Sequence, residues 1–337
     1  MTKEEEMKQK IKILNSLKYD EKYKVSICIP VYNTKKELFE YCLNSILKCG
    51  LKEKDYEIVV IDDGSTEINV EETINSFKKN NPKINIDCWA HGKNEGLFEA
   101  RRSAVSVAKG HYIFNLDSDD YLEENILGEL VNDFYDKDYD VIQTEYNDIG
   151  VTGDVKHEPI AMFYEQTNED NTLLRCLYND AQIPGYIWGK LIKRTVYLKS
   201  FDELPYLYLI FNEDFLQTFF ICKNAKSIMS VPGYVTYNYR RTTGMTSIGS
   251  LNMSESKFDQ YLSYAEVMKI IDAKYTTNEK LKEFIDKRHI SIMLQIYSSI
   301  IVGVKDEDLK LYIKKFKKAF GADNVKYIHE LFNKMKK

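Results

Sequence analysis

Three carboxylates fall within four positions in the stretch "YIFNLDSDDY", residues 112–121. Asp117, Asp119 and Asp120 follow directly on an apolar run. Like charges this close repel and raise one another's pKa. At the end of a strand they tolerate the crowding when a divalent cation sits between them and a polyphosphate. Hard oxygens suit Mg²⁺ or Mn²⁺ for that purpose. This metal chemistry is read for Asp117 and Asp119. Asp120, just before "YLEEN", reads instead as a helix N-cap in a solvated turn.

Two other clusters could serve the same ligand. In "DDGST" (62–66) an acidic side chain can accept a hydrogen bond from a ring N–H of a base, although the stretch is also an ordinary structural turn. "HGKNEGLFEARR" (91–102) brings Asn94, Gly96 and a helix N-terminus together, a natural place for phosphate or sugar hydroxyls. Arg101, one turn into that helix, could reach a diphosphate, and Arg102 is expected to make surface pairs. Far downstream, "FNEDF" (211–215) sets Glu213 and Asp214 before a helical run, where the plain alternative is an N-cap.

The elements that must position these residues follow from the apolar pattern. Runs at 25–30, 56–61, 84–90, 111–116 and 139–146 read as strands. Helices are expected at 34–50, with Thr34 as N-cap, at 70–80, at 96–110, closed by Gly110, and at 122–136. The alternation implies an α/β fold with a mostly parallel sheet over residues 24–145. Ligands of such sheets bind at the carboxyl ends of strands. Tyr32-Asn33, "DDGST" and "DSDD" all fall there. Beyond 145 the pattern loosens: 147–170 reads as polar and irregular, 171–180 as a helix, 211–224 as a helix, and everything from about 254 as helical.

Composition narrows the class. With 44% hydrophobic and 29% charged residues, the 337-residue chain can bury a core as one large domain or two modest ones. A net charge of −5 argues against a general nucleic-acid binder. Its 25 tyrosines suit sugar and base contacts, although AT-rich coding would also produce them. Six cysteines without a CxxC pair read as buried thiols in a reducing compartment. The charged start "MTKEEEMKQK" has no apolar signal region, and "ISIMLQIYSSIIVGV" (290–304) is short for a membrane span. The expected location is the cytoplasm, including the inner face of the membrane.

In order, "VSICIPVYN", "IVVIDDGST", "KNEGLFEARRSA" and "YIFNLDSDDYL" resemble the motif series of family 2 glycosyltransferases, over residues 24–145 and more weakly to about 246. The resemblance implies a GT-A fold: a mostly parallel nucleotide-binding sheet flanked by helices, here with a C-terminal helical extension. It implies inverting transfer from a nucleotide-sugar, usually UDP-linked, to a hydroxyl of a glycan or lipid-linked acceptor, with Mn²⁺ or Mg²⁺ as cofactor. Carried over by position, it implies that Tyr32 stacks on the base, with Pro30 and Val31 lining its pocket. Asp63 would bind the base edge, with Asp62 beside it. Asn94 and Arg101 would contact the donor. Asp117, with Ser118 next to it, would hold ribose or sugar, and Asp119 would ligate the metal.

"FNEDF" resembles the family's Glu-Asp motif, which implies Asp214 as general base and Glu213 holding an acceptor or donor hydroxyl. "YIWGKLIKR" (186–194) resembles the acceptor floor, with Trp188 on a sugar face and Lys190 near the diphosphate; a buried structural Trp is the alternative. "YNYRRTTGMT" (237–246) resembles a flexible segment that closes over the donor. Some relatives place a metal-binding His there. This chain has Tyr239, Arg240 and Arg241, and no His between 157 and 289, so an Arg would neutralise the leaving diphosphate instead.

The expected organisation is a charged helical extension at 1–23, a transferase domain at 24–250 with a donor half (24–145) and an acceptor half (146–250), and a helical region at 251–337. The basic amphipathic stretches 309–320 and 327–337 read as solvated helix faces, a peripheral membrane contact or a homo-oligomer contact. Two rival functions are a sugar nucleotidyltransferase and a catalytically inactive sugar- or nucleotide-binding protein. "PVYNTKKE" lacks the Gly-rich phosphate loop of the first, and intact Asp119 and Asp214 speak against the second.

Overall fold

Strand β1 (Tyr23–Val31) is buried on both faces, as a strand inside a parallel sheet is. It pairs in parallel with β2 (Tyr56–Asp62) on one side and β4 (Gly110–Asn115) on the other, and β2 pairs in parallel with β3 (Ile86–Ala90). The computed structural model describes residues 22–167, 183–209, 211–241, 255–275 and 279–335. The charged N-terminal segment, the helix expected at 171–180 with Cys176, and the far part of 237–246 lie outside the described residues.

Helices α1 (Lys36–Ile46), α2 (Val70–Asn80), α3 (Leu97–Val107) and α4 (Ile126–Phe134) follow these strands. Asn69 caps α2 by accepting the Glu72 N–H at 3.0 Å, and acids then bases along that helix complement its dipole. Thr34 does not cap α1: Lys35 takes that position, and the Thr34 hydroxyl meets Ser118 Oγ at 2.6 Å. Gly110 does not close α3 either; the helix ends at Val107, and Gly110 opens β4 opposite Tyr23.

The sheet runs β3-β2-β1-β4 and continues through β9 (Lys190–Lys193), β6 (Val141–Ile149), β10 (Ser227–Arg240) and β5 (Tyr121–Leu122). Short β9 is antiparallel to both β4 and β6 and joins a parallel half to a mixed half. The long β10 is parallel to β6 and antiparallel to β5. The stretch expected to be irregular holds β7 (Val155–Glu158), paired to β6, and β8 (Phe163–Gln166), paired to β10. Residues 237–240 are not a free flap, because they are the last part of β10, with Tyr237 fully buried.

Alternate residues of β1 serve two cores. Val25, Ile27, Ile29 and Val31 face α1, α2 and α4, while Cys28 faces α3, α5 (Arg194–Asp202) and α6 (Glu213–Asn224). The C-terminal helices α7 (Glu255–Leu262), α8 (Tyr264–Tyr275), α9 (Glu279–Gly303), α10 (Asp306–Phe320) and α11 (Ala322–Met335) share the second core. Arg288 of α9 lies 4.8 Å over the Phe215 ring of α6, so this region packs directly behind "FNEDF". Among the described residues no helix is long and apolar enough to cross a membrane; 290–304 falls largely within α9.

Candidate active site

The end of β1 presents Tyr32, 52% exposed, as its first outward side chain. Pro30 and Val31 are paired within the sheet against Ile61 and Asp62, and both are buried, so neither lines an open pocket. After Tyr32 the backbone turns through Asn33 (φ 52°), whose side chain accepts the N–H groups of Thr66 and Glu67 at 2.7 and 2.9 Å. This ties the β1 loop to the β2 loop. Asp62 accepts the Ser65 N–H at 2.9 Å and keeps part of its surface open.

Asp63 points inward. Its Oδ1 accepts the Glu95 N–H at 2.8 Å and lies 2.7 Å from His91 Nδ1, and its Oδ2 accepts the Gly96 N–H at 2.9 Å. The carboxylate is buried and holds the start of α3, so it is not open to a base edge in this arrangement. Two glycines allow the close packing. A Cβ at Gly64 (φ 77°) would lie 2.5 Å from Lys93 C, and Gly96 (φ 91°) lets the chain turn into α3. Asn94 stays partly exposed beside that turn.

Helix α3 buries Glu99, Arg101 and Arg102. Arg102 is not a surface residue: it donates to Pro205 O at 2.7 Å and lies 3.4 Å from Glu99. Glu99 accepts the Leu207 N–H at 2.9 Å. Burial pushes the Glu99 carboxyl up to about 7, with Arg102 opposing. These two side chains fix the segment 205–209 against α3. They thereby place Tyr208, 54% exposed, where its ring would lie 3.3 Å from a Cβ at Gly96. Sequence reading missed Tyr208; the available signal was the alternation in "PYLYL", where Leu207 and Leu209 are buried.

Arg101 is fully buried and joins three carboxylates from two distant motifs. Nη2 donates to Asp117 at 2.9 Å, while Nη1 donates to Asp214 and lies 3.5 Å from Glu213. Arg101 therefore braces the acids from beneath, and does not extend into the open site as a donor contact. Burial alone would disfavour the guanidinium charge, but the carboxylates overcome it. Asp117 and Asp214 keep 23% and 24% of their side chains exposed, so both can still meet a ligand. Glu213 is mostly covered, and burial together with the Asp214 charge holds its carboxyl well above the usual range. Asp117 is also raised, by burial, with Arg101 opposing. Asn212, in a left-handed conformation, occupies the N-cap of α6, so Asp214 is not the cap.

The remaining acids divide in the same way. Asp120 is neither a helix cap nor a ligand-facing group: it is buried and accepts Tyr237 Oη–H and the Arg240 N–H, each at 2.7 Å. Ser118 is buried against Thr34. Asp119 is half-buried, and its carboxylate has no hydrogen-bond or ion-pair partner among the described residues. A half-buried carboxylate left without a protein partner fits a hard cation as one oxygen ligand. Among the described residues no group of three or more His, Cys, Asp or Glu has metal-holding geometry.

On the acceptor side the ring of Trp188, 7% exposed, is stacked with Tyr186, Tyr237 and Tyr239 at 3.9, 4.6 and 5.4 Å. It has the structural role, with little face left for a sugar. Lys190 does not reach out to a diphosphate. It is buried, donates to Tyr186 O and lies 4.0 Å over the Tyr186 ring. Burial brings its amine down to about 7, with Cys222 and Asp214 opposing. The Arg240 guanidinium lies 4.6 Å from both the Tyr41 and Tyr121 rings, beside the "DSDD" turn.

The family model described as Glycosyl transferase family 2 matches residues 26–203, more than half of the chain. The chain is similar to the poly(ribitol-phosphate) beta-N-acetylglucosaminyltransferase TarP of Staphylococcus aureus, at 26% identity over 92% of this chain and 93% of TarP. It also resembles the glycosyltransferase GlyG of Streptococcus pneumoniae, at 37% identity over 36% of this chain and 38% of GlyG. In fold it resembles S. aureus TarS 1-349 crystallised with UDP-GlcNAc, with a TM-score of 0.56, 21% identity and 92% of each chain covered.

Proposed function

The chain belongs to glycosyl transferase family 2 and is a glycosyltransferase, and from that premise we propose that it moves a sugar from a UDP-linked donor to a hydroxyl of a bacterial envelope polymer, with inversion at the sugar carbon. The observation that carries this reading is Arg101, which pairs with Asp214, 113 residues later in sequence, and with Asp117 at once. A base and a donor-binding acid are needed within one sugar's reach of each other, and this pairing supplies that arrangement.

In this scheme Tyr32 stacks on the base, Asp62 and Asn94 face the donor, and Asp117 meets ribose or sugar. Asp119 would hold Mn²⁺ or Mg²⁺, which when bound would supply positive charge against the diphosphate. The Asp214 carboxylate takes the proton of the acceptor hydroxyl. That oxygen bonds to the anomeric carbon from the face opposite the nucleotide, the bond to the diphosphate oxygen breaks, and UDP leaves. Glu213, buried beside Asp214, fixes its orientation. Arg240 at the "DSDD" turn faces the departing charge. Residues 24–250 form the transferase unit of this proposal, and 251–337 brace it through Arg288 and Phe215. The TarP and TarS names motivate UDP-GlcNAc and poly(ribitol-phosphate) as the first pair to assay.

The test is acceptor-dependent turnover with UDP-GlcNAc and other UDP-sugars in Mn²⁺. Release of UDP together with a glycosylated acceptor is expected. Release of pyrophosphate, or no turnover with any acceptor polymer, would contradict the proposal.

A further inference from the structure

We propose that Tyr208 forms the second wall of the base pocket, so that the nucleobase of a nucleoside diphosphate lies between Tyr32 and Tyr208. The inference deepens the donor reading above and rests on it. The two rings belong to segments far apart in sequence, yet one short path connects them. Tyr32 follows Val31, whose carbonyl accepts the Asp63 N–H at 2.8 Å. Asp63 in turn accepts the Gly96 N–H at 2.9 Å. The Tyr208 ring lies over Gly96, close enough that an added Cβ would meet it at 3.3 Å. Two hydrogen bonds through Asp63 thus tie the backbone that carries Tyr32 to the glycine under the Tyr208 ring.

Both rings are more than half exposed. A large apolar face left in water is suited to a flat partner. The backbone beneath Tyr208 is fixed, because buried Glu99 holds the Leu207 N–H and buried Arg102 holds Pro205 O. With Leu207 and Leu209 packed inward, the alternating pattern turns Tyr208 outward. Burial raises the Tyr208 phenol, and Tyr32 and Asp63 add to the effect, consistent with all three sharing one recess. Stacking needs only a π face, so this wall would hold a pyrimidine without reading its edge.

The experiment is calorimetric titration of UDP with Mn²⁺ into the full chain, comparing wild type with Tyr208→Ala, Tyr208→Phe and Tyr32→Ala, each checked for an unchanged thermal midpoint. Tyr208→Ala should weaken UDP about 10- to 100-fold. Tyr208→Phe should stay within about threefold of wild type, because the ring and not the hydroxyl makes the contact. Wild-type affinity in Tyr208→Ala beside a loss in Tyr32→Ala overturns the inference and leaves the donor reading intact. A loss that Phe does not restore also overturns it, by assigning the effect to the hydroxyl. A wild-type chain that binds no UDP removes the inference and the donor reading together.

Discussion

On the parallel side of β9, most groups that the proposal turns toward the donor stand at the end of their own strand: Tyr32 after β1, Asp62 closing β2, Asp117 and Asp119 after β4. On the mixed side a strand end supplies Arg240, the last residue of β10, and the other groups come from elsewhere. Asp214 comes from the first turn of α6 and Tyr208 from the segment before it, and both are set by side chains of α3. A parallel sheet positions residues by where its strands stop. The mixed half positions them by buried charge on one shared helix. Glu99, Arg101 and Arg102 fall within four successive positions of α3 and between them hold Leu207, Asp214, Glu213, Asp117 and Pro205. The difference teaches that α3 is the part on which the two halves jointly depend.

Removing the shared brace should therefore have the largest effect. Arg101→Met leaves three carboxylates around an apolar side chain. Loss of one member of a buried ionic cluster typically costs about 3–5 kcal/mol. Urea unfolding should register that loss, and sugar transfer should fall even where the protein remains folded. A variant as stable as wild type would show that the two halves are held together elsewhere.

Lys190 gives a pH-resolved version of the same comparison, since it lies buried on the mixed side. Its folded-state pKa, about 7, is below the ordinary 10.5. Between those values the unfolded chain binds more protons than the folded one, so stability rises as pH rises from 7 toward 10.5. At and below pH 7 the penalty is present in full. From pH 7.5 to 9.5 the wild-type protein should gain about 2–3 kcal/mol relative to Lys190→Met. Parallel stability profiles for the two proteins would contradict this.

Effects on the parallel side should be smaller on the fold and sharper on the ligand. Tyr32→Ala should weaken UDP by roughly 1–3 kcal/mol in titration calorimetry, by analogy with base–aromatic stacking. Asp119→Ala should change stability least, by about 0.5 kcal/mol or less as for a surface side chain, while the Mn²⁺ dependence of UDP binding disappears. Retained Mn²⁺ dependence in that variant would move the cation away from Asp119.

The same contrast decides what the sequence makes legible. The exposed strand-end places of Tyr32 and Asp62, and the open carboxylate of Asp119 after β4, are legible because each is a polar or aromatic residue at or just past the end of an apolar run. Arg102 read as a surface residue and Arg101 as a donor contact for one reason: helical spacing gives the face of a residue but not what covers it. What covers them is contributed by positions 205–214, more than a hundred residues later. Asp62 and Asp63 are adjacent at the end of β2 and the sequence does not fix which of them turns inward, whereas Asp120 lies in the turn between β4 and β5 and is buried by Tyr237 and the Arg240 N–H, 117 and 120 residues later. Trp188 and Lys190 looked functional for their chemistry, and packing among Tyr186, Tyr237 and Tyr239 absorbs the ring.

The central claim is that α3 delivers Asp214 as the base, and the Asp214→Asn variant tests it most directly. The substitution retains the side-chain shape and removes the proton acceptor. The measurement is the sugar-transfer rate at saturating donor, alongside UDP and Mn²⁺ affinity in the same preparation. The account predicts transfer reduced by roughly 10²–10⁴, the usual worth of a positioned general base, with both affinities within about twofold of wild type. Transfer at nearly the wild-type rate would contradict it and make Glu213, buried beside Asp214, the next group to test.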